Sequence, residues 1–167
     1  MTADNGEKSL IATLDIEASG IHAEAYPIEV GVSLPNGKTW CSLIRPSQSW
    51  KHWDKEAETI HGISQEELIS NGKSPTEVAG KLNQMLSSST VYSDCWVLDQ
   101  PWLTTLFQQA GMPQSFTLLD MMHVMKEESY EKLIDTKHRI ALSLDLARHR
   151  ASNDAKILQL AYEELKE

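Results

Sequence analysis

The first third of the chain alternates short apolar runs with turn residues at strand-like spacing. Residues 9–15, Ser9-Leu10-Ile11-Ala12-Thr13-Leu14-Asp15, form an apolar run that ends in polar groups, which predicts a buried strand. Residues 27–34 alternate and predict a second strand. Asn36-Gly37 within Pro35-Asn36-Gly37-Lys38 is a strong hairpin signal, so residues 39–45 should return as a third strand and complete an antiparallel meander.

After that the apolar spacing lengthens to that of helices. A short helix is expected over 55–59, stopping near Gly62. Ser64-Gln65-Glu66-Glu67 has a capping-box pattern and opens another. Residues 74–86 predict a third, with Pro75 in its first turn and Val78, Leu82 and Leu86 on one face. A strand is expected at 90–93, and a helix at 101–110 with Leu103, Leu106, Phe107 and Ala110 on one stripe, ended by Gly111. A last strand follows near 115–119. The final helix, about 151–164, turns Ile157, Leu158, Ala161 and Leu165 inward. Three strands followed by interspersed helices and strands predict a mixed α/β sheet. Residues 1–8 read as a polar tail, and 9–167 as one domain long enough to bury a core.

Composition narrows the class. The two cysteines, Cys41 and Cys95, make no disulfide framework and have no zinc spacing, which fits a reducing, cytoplasmic setting. No apolar run reaches the ~20 residues needed to span a bilayer, so no membrane is expected. The net charge of −9 argues against a protein that coats long nucleic acid, because that binding rests on many Lys/Arg–phosphate contacts. It does not exclude an enzyme that grips a few nucleotides through metal ions, whose charge composition does not count.

Four acids and a histidine carry the candidate chemistry. Asp15 and Glu17 lie at i and i+2 at the end of the first strand and share a face. Two carboxylates so placed repel unless a cation sits between them, and hard oxygen ligands suit Mg²⁺ or Mn²⁺; alternatively they are two surface acids. Ala18-Ser19-Gly20 follows, either a plain turn or small residues that let a substrate approach, with Ser19 able to hydrogen-bond a sugar or phosphate. His61 and Ile63 flank a glycine at a helix end, to meet a terminal nucleotide or to cap the helix. Asp99 lies four residues before Leu103 and shares its inward stripe; the alternatives are that Asp99 caps that helix, or that Asp94 is the functional acid. Asp154 continues the inward stripe of Ile157 and Leu158, and His149 just before it has a side chain suited to accepting a proton near neutral pH. Lys132, Lys137, Arg139, Arg148 and Arg150 form a basic cluster before the last helix, either a strand-holding surface or a solvated face.

In this order Asp-x-Glu, His-Gly-Ile, Asp before an aromatic-Leu helix and His-x4-Asp resemble the DEDDh 3′–5′ exonucleases, the DnaQ-like group of the ribonuclease-H-like superfamily, from Leu10 to Leu165. The resemblance implies a mixed five-stranded sheet with its second strand antiparallel and helices on both faces. It implies Asp15, Glu17, Asp99 and Asp154 as ligands of two divalent cations, Mg²⁺ or Mn²⁺, and His149 as general base. It places Ala18, Ser19, Gly20, His61 and Ile63 at the 3′-terminal nucleotide. The implied reaction removes nucleoside 5′-monophosphates from 3′ ends of single-stranded nucleic acid, DNA favoured, with a homodimer as one possible state. RNA-directed relatives such as oligoribonuclease and ribonuclease T are the enzyme alternative, and a non-catalytic interaction module on the same fold is the other. The sequence departs from the pattern at Cys95, where the family commonly carries Asn, and residues 121–146 match no family pattern.

Overall fold

The computed structural model describes residues 10–166. The expected tail at 1–8 and the start of the first strand at Ser9 lie outside the described residues. The chain forms β1 (Ala12–Ala18), β2 (Pro27–Ser33) and β3 (Thr39–Leu43), then α1 (Lys55–His61), α2 (Gln65–Asn71) and α3 (Pro75–Leu86). β4 (Thr90–Ser93), α4 (Trp96–Ala110) and β5 (Thr117–Asp120) follow, then a single 3₁₀ turn (Met121–His123), α5 (Glu127–Tyr130), α6 (Leu133–Ser143) and α7 (Ala151–Leu165).

The strands make one five-stranded sheet in the order β3-β2-β1-β4-β5. β1 pairs antiparallel with β2 and parallel with β4; β2 pairs antiparallel with β3, and β4 parallel with β5. Helices cover both faces. On one side Leu14 and Ile16 of β1 and Val30 and Val32 of β2 pack with Val78, Leu82, Leu103 and Phe107 of α3 and α4. On the other side Thr13 of β1 donates from Oγ1 to the Ala155 carbonyl of α7 at 2.7 Å, and Ser33 of β2 donates to Gln159 at 2.8 Å. Period-two alternation therefore sends Asp15 and Glu17, in step with Thr13, toward α7.

Several element boundaries differ from expectation. β1 continues through Asp15 to Ala18, because pairing with β2 carries on past the acids. β3 stops at Leu43; Ile44 bridges to Lys73 instead. β5 starts at Thr117 and runs to Asp120. The full capping box belongs to Ser74 and Glu77, whereas Ser64 supplies only the half that accepts from the Glu67 N–H. α4 begins at Trp96, five residues before Pro101, because the N–H groups of Leu98 and Asp99 close the first turn onto the Cys95 carbonyl. Pro101 is tolerated inside because the carbonyl it leaves unpaired is that of Val97, at an exposed position. α1 stops where predicted, as Gly62 adopts φ 70° and closes its end.

Every residue of β2 is buried, so alternation here did not mean a half-exposed strand. Glu29 is consequently 1% exposed. Its carboxylate takes Arg150 Nη2 at 2.9 Å and the Ala151 N–H at 2.9 Å, fastening the start of α7 to the sheet.

Candidate active site

The C-terminal halves of the parallel strands β1 and β4 open into a cleft of 520 Å³, the crevice position where α/β sheets commonly bind ligands. Asp15, Glu17, Asp99, His149 and Asp154 all line it. They arrive from four parts of the chain. Asp15 and Glu17 come from β1, and Asp99 from the first turns of α4. His149 comes from the segment before α7, where it adopts φ 59°, and Asp154 from α7's first turn. One donor atom each of Glu17, His149 and Asp154 lies within 4.8 Å of the others.

Crowding of carboxylates dominates the electrostatics. Burial, then Asp99, Glu17, Asp154 and Asp94, hold the Asp15 carboxyl well above its ordinary range. Burial, with Asp154, Glu29 and Asp99 adding, pushes Glu17 up to about 8. Asp99 is pushed up to about 7 by burial and by Asp94, against the lowering effect of the Ser93 hydroxyl. Asp15 Oδ2 is buried without a hydrogen-bond partner. An orphaned carboxylate oxygen among mutually repelling acids is the donor set a hard divalent cation neutralises, so these residues fit such an ion. Asp99 is not the helix cap: α4 starts at Trp96 with Cys95 in the cap position, and the Asp99 carboxylate accepts from Ser93 Oγ. Asp94, its competitor, also lines the cleft but is ion-paired with Lys137.

A smaller slot of 150 Å³ adjoins the cleft and shares Ile16, Glu17, Ile21 and Trp102 with it. Ala18, Gly20 and His61 line this slot, with Ala57 and Ile60 of α1. His61 is 6% exposed; its Nδ1 accepts from the Ile63 N–H at 3.0 Å, which leaves the proton on Nε2, buried and unpartnered. Burial also lowers its pKa, favouring this neutral form.

Two of the five residues expected at a terminal nucleotide are placed elsewhere. Ser19 is fully buried, and its hydroxyl accepts from the Tyr26 N–H at 3.1 Å, so it fastens the β1–β2 connection. Ile63 is likewise fully buried, packed with Tyr26, Ile28 and Leu68. Gly20 keeps its place through close packing as well, since a β-carbon there would lie 2.5 Å from His52 Cε1.

The basic cluster does not form one face. Lys137 pairs with Asp94, Arg139 with Glu164, Arg148 with Asp154 and Arg150 with Glu29. Only Lys137 and Arg148 of the five line the cleft. Residues 121–146, which had no assignable pattern, supply a wall through Tyr130, Leu133, Ile134 and Lys137. The sequence signal for that wall was the apolar pair Leu133-Ile134 set between the charged Lys132 and Asp135. Glu29 was also missed; its signal was a charge inside an apolar strand run.

No family model and no curated protein matches the chain. Solved structures do resemble its fold. E. coli exonuclease I in a zinc-bound complex with single-stranded DNA superposes with a TM-score of 0.69 at 15% identity, over 95% of this chain and 40% of that one. The same enzyme with a dA16 oligonucleotide gives 0.71 at 13% identity over 95% and 40%. Exonuclease I from Methylocaldum szegediense gives 0.69 at 11% identity over 93% and 40%. The chain thus spans about two fifths of the length of these structures. The fold is the mixed α/β, ribonuclease-H-like one. Among the described residues no helix is long and apolar enough to cross a membrane.

Proposed function

We propose that this protein is a metal-dependent 3′–5′ exonuclease acting on single-stranded nucleic acid, DNA in preference to RNA. The observation that carries the reading is convergence: Glu17, His149 and Asp154 offer donor atoms within 4.8 Å of one another, beside Asp99 and the orphaned Oδ2 of Asp15. The DNA oligonucleotides bound in the exonuclease I structures support the substrate class.

Asp15, Glu17, Asp99 and Asp154 would hold the cations, Mg²⁺ or Mn²⁺. Bound there, these ions supply positive charge to the phosphoryl oxygens and the leaving 3′ oxygen. The chain's own groups do the rest. His149, exposed at the cleft, accepts the proton of the attacking water. The slot holds the terminal nucleoside: its His61 Nε2–H donates to a sugar oxygen, and Ile21 and Ile60, both exposed, cover the base. α1 forms one wall of the slot through Ala57, Ile60 and His61, a surface against which a terminal nucleoside can rest, which favours exonuclease action.

The test is digestion of matched 5′-labelled DNA and RNA single strands with Mg²⁺ or Mn²⁺. Stepwise shortening from the 3′ end, faster on DNA, abolished by EDTA and by Asp15→Ala, is the expected result. Undiminished activity in Asp15→Ala or Asp154→Ala would overturn the assignment of these acids. Equal or faster RNA cleavage would overturn the substrate preference.

A further inference from the structure

The four acids are satisfied in different ways. Asp15 Oδ2 has no partner, and Asp99 accepts from a neutral hydroxyl, Ser93 Oγ. Asp154 differs: Arg148 Nε donates to its Oδ1 at 2.5 Å, and the His149 N–H donates to its Oδ2 at 2.6 Å. Among the described residues Asp154 is the one of these four that forms a direct ion pair with a cationic side chain; Glu17, like Asp15 and Asp99, forms none. Arg148 is only partly covered, lines the cleft, and among the described residues finds a partner through Nε alone. It also stands next to His149, whose left-handed backbone turns the segment at that point.

A guanidinium and a divalent cation drawn to the same carboxylate repel each other, so each weakens the other's hold. A guanidinium displaced from a carboxylate stays fully charged, and its planar fork matches the oxygens of a phosphate. We propose that Arg148 is an exchangeable counter-ion, which neutralises Asp154 when the cleft lacks a divalent cation and turns to a substrate phosphate when a cation takes that carboxylate. Lys137 is not assigned this role, because its acid, Asp94, is not one of the four proposed cation ligands and lies outside the Glu17, His149 and Asp154 group. The phosphate half of this inference rests on the nuclease reading above; the counter-ion half does not.

The first experiment is calorimetric titration of Mn²⁺ into the wild type and Arg148→Met, without nucleic acid. Arg148→Met should bind Mn²⁺ more tightly, by roughly 5- to 50-fold, the usual size of a coupling between two ligands of one site. Arg148→Lys, which keeps the charge, should stay within about threefold of the wild type, well below such a coupling. Thermal midpoints separate this from a merely structural role. Arg148→Met should melt below the wild type in EDTA, and level with it or above it in saturating Mn²⁺. A lowered midpoint in both conditions, or an unchanged or weaker Mn²⁺ affinity, overturns the proposal.

The second experiment measures binding of a fluorescent oligothymidylate in Ca²⁺. Arg148→Met should weaken it about tenfold, as expected for loss of a charge-assisted phosphate contact. Unchanged binding overturns the phosphate half. Wild-type protein that takes up no Mn²⁺ would defeat the nuclease reading too. Tight Mn²⁺ uptake unaffected by Arg148→Met defeats this inference alone.

Discussion

A β-carbon on Gly31 would lie 2.1 Å from the carbonyl carbon of Ala151 and 2.2 Å from the Ser152 nitrogen. The first turn of α7 rests on the backbone of β2 with no room for a side chain, and that turn carries Asp154. Gly31→Ala must push the helix off the sheet. The expected loss is about 3 kcal/mol of stability, at the upper end of overpacking costs, with nuclease activity falling further than stability alone requires. A urea midpoint equal to the wild type's would show that the contact yields cheaply.

Two residues away on the same face, Glu29 holds Arg150 and the Ala151 N–H. Removing one partner of a buried pair leaves the other charge or donor uncompensated. Glu29→Ala should cost about 3 kcal/mol, and Arg150→Ala less, because that side chain is 42% exposed. The double variant should be clearly more stable than the sum of the single losses predicts. Simple additivity in denaturant melts would mean the two are not coupled.

The raised carboxyl pKa values fix a pH dependence. Glu17 moves from an ordinary 4.5 up to about 8, and Asp99 from 3.8 up to about 7. Between those limits the folded protein binds more protons than the unfolded chain, so stability present at low pH is lost as pH rises. In EDTA the melting midpoint should fall by about 5–10 °C between pH 5 and pH 8. Saturating Mn²⁺ should flatten or reverse the slope, since the cation takes over the protons' task. A midpoint in EDTA that rises with pH would show that the acids are not crowded as described.

His149 and His61 should separate kinetically. His149→Ala should lower kcat by roughly 10²–10⁴ while Mn²⁺ binding persists through the acids. His61→Ala removes one buried donor from the slot and should mainly raise KM, by about tenfold. A fall in kcat for His61→Ala with KM unchanged would place it in the chemical step instead.

Much of this was legible in the chain. Asn36-Gly37 fixed the hairpin, and hydrophobic periodicity located α3 and α7 to within a residue or so, and α4 apart from its first five residues. Asp99 and Asp154 stood out because a charge continuing an apolar stripe asks for a partner, Asp15 and Glu17 because i and i+2 share a strand face, and His149 as a side chain suited to accepting a proton; the structure brings all five to one cleft. The misplacements share a cause. Ser19 and Ile63 were expected at a ligand from local chemistry and motif order, yet whether a residue faces a slot or the core depends on neighbours such as Tyr26 and Leu68, which neither specifies. Glu29 was read as one polar position of an alternating strand, although β2 is covered on both faces.

Local spacing, then, determined which residues could share a strand face or helix stripe, because those periods are properties of the backbone itself. The tertiary structure alone decided which charges meet. It brought Asp15 beside Asp99 and Asp154 across more than eighty residues of chain, left one of its oxygens without a partner, and divided the basic cluster among four separate carboxylates. Those outcomes depend on how α4, α6 and α7 pack around the end of β1, and Coulomb interactions follow distance in space whatever the separation in sequence.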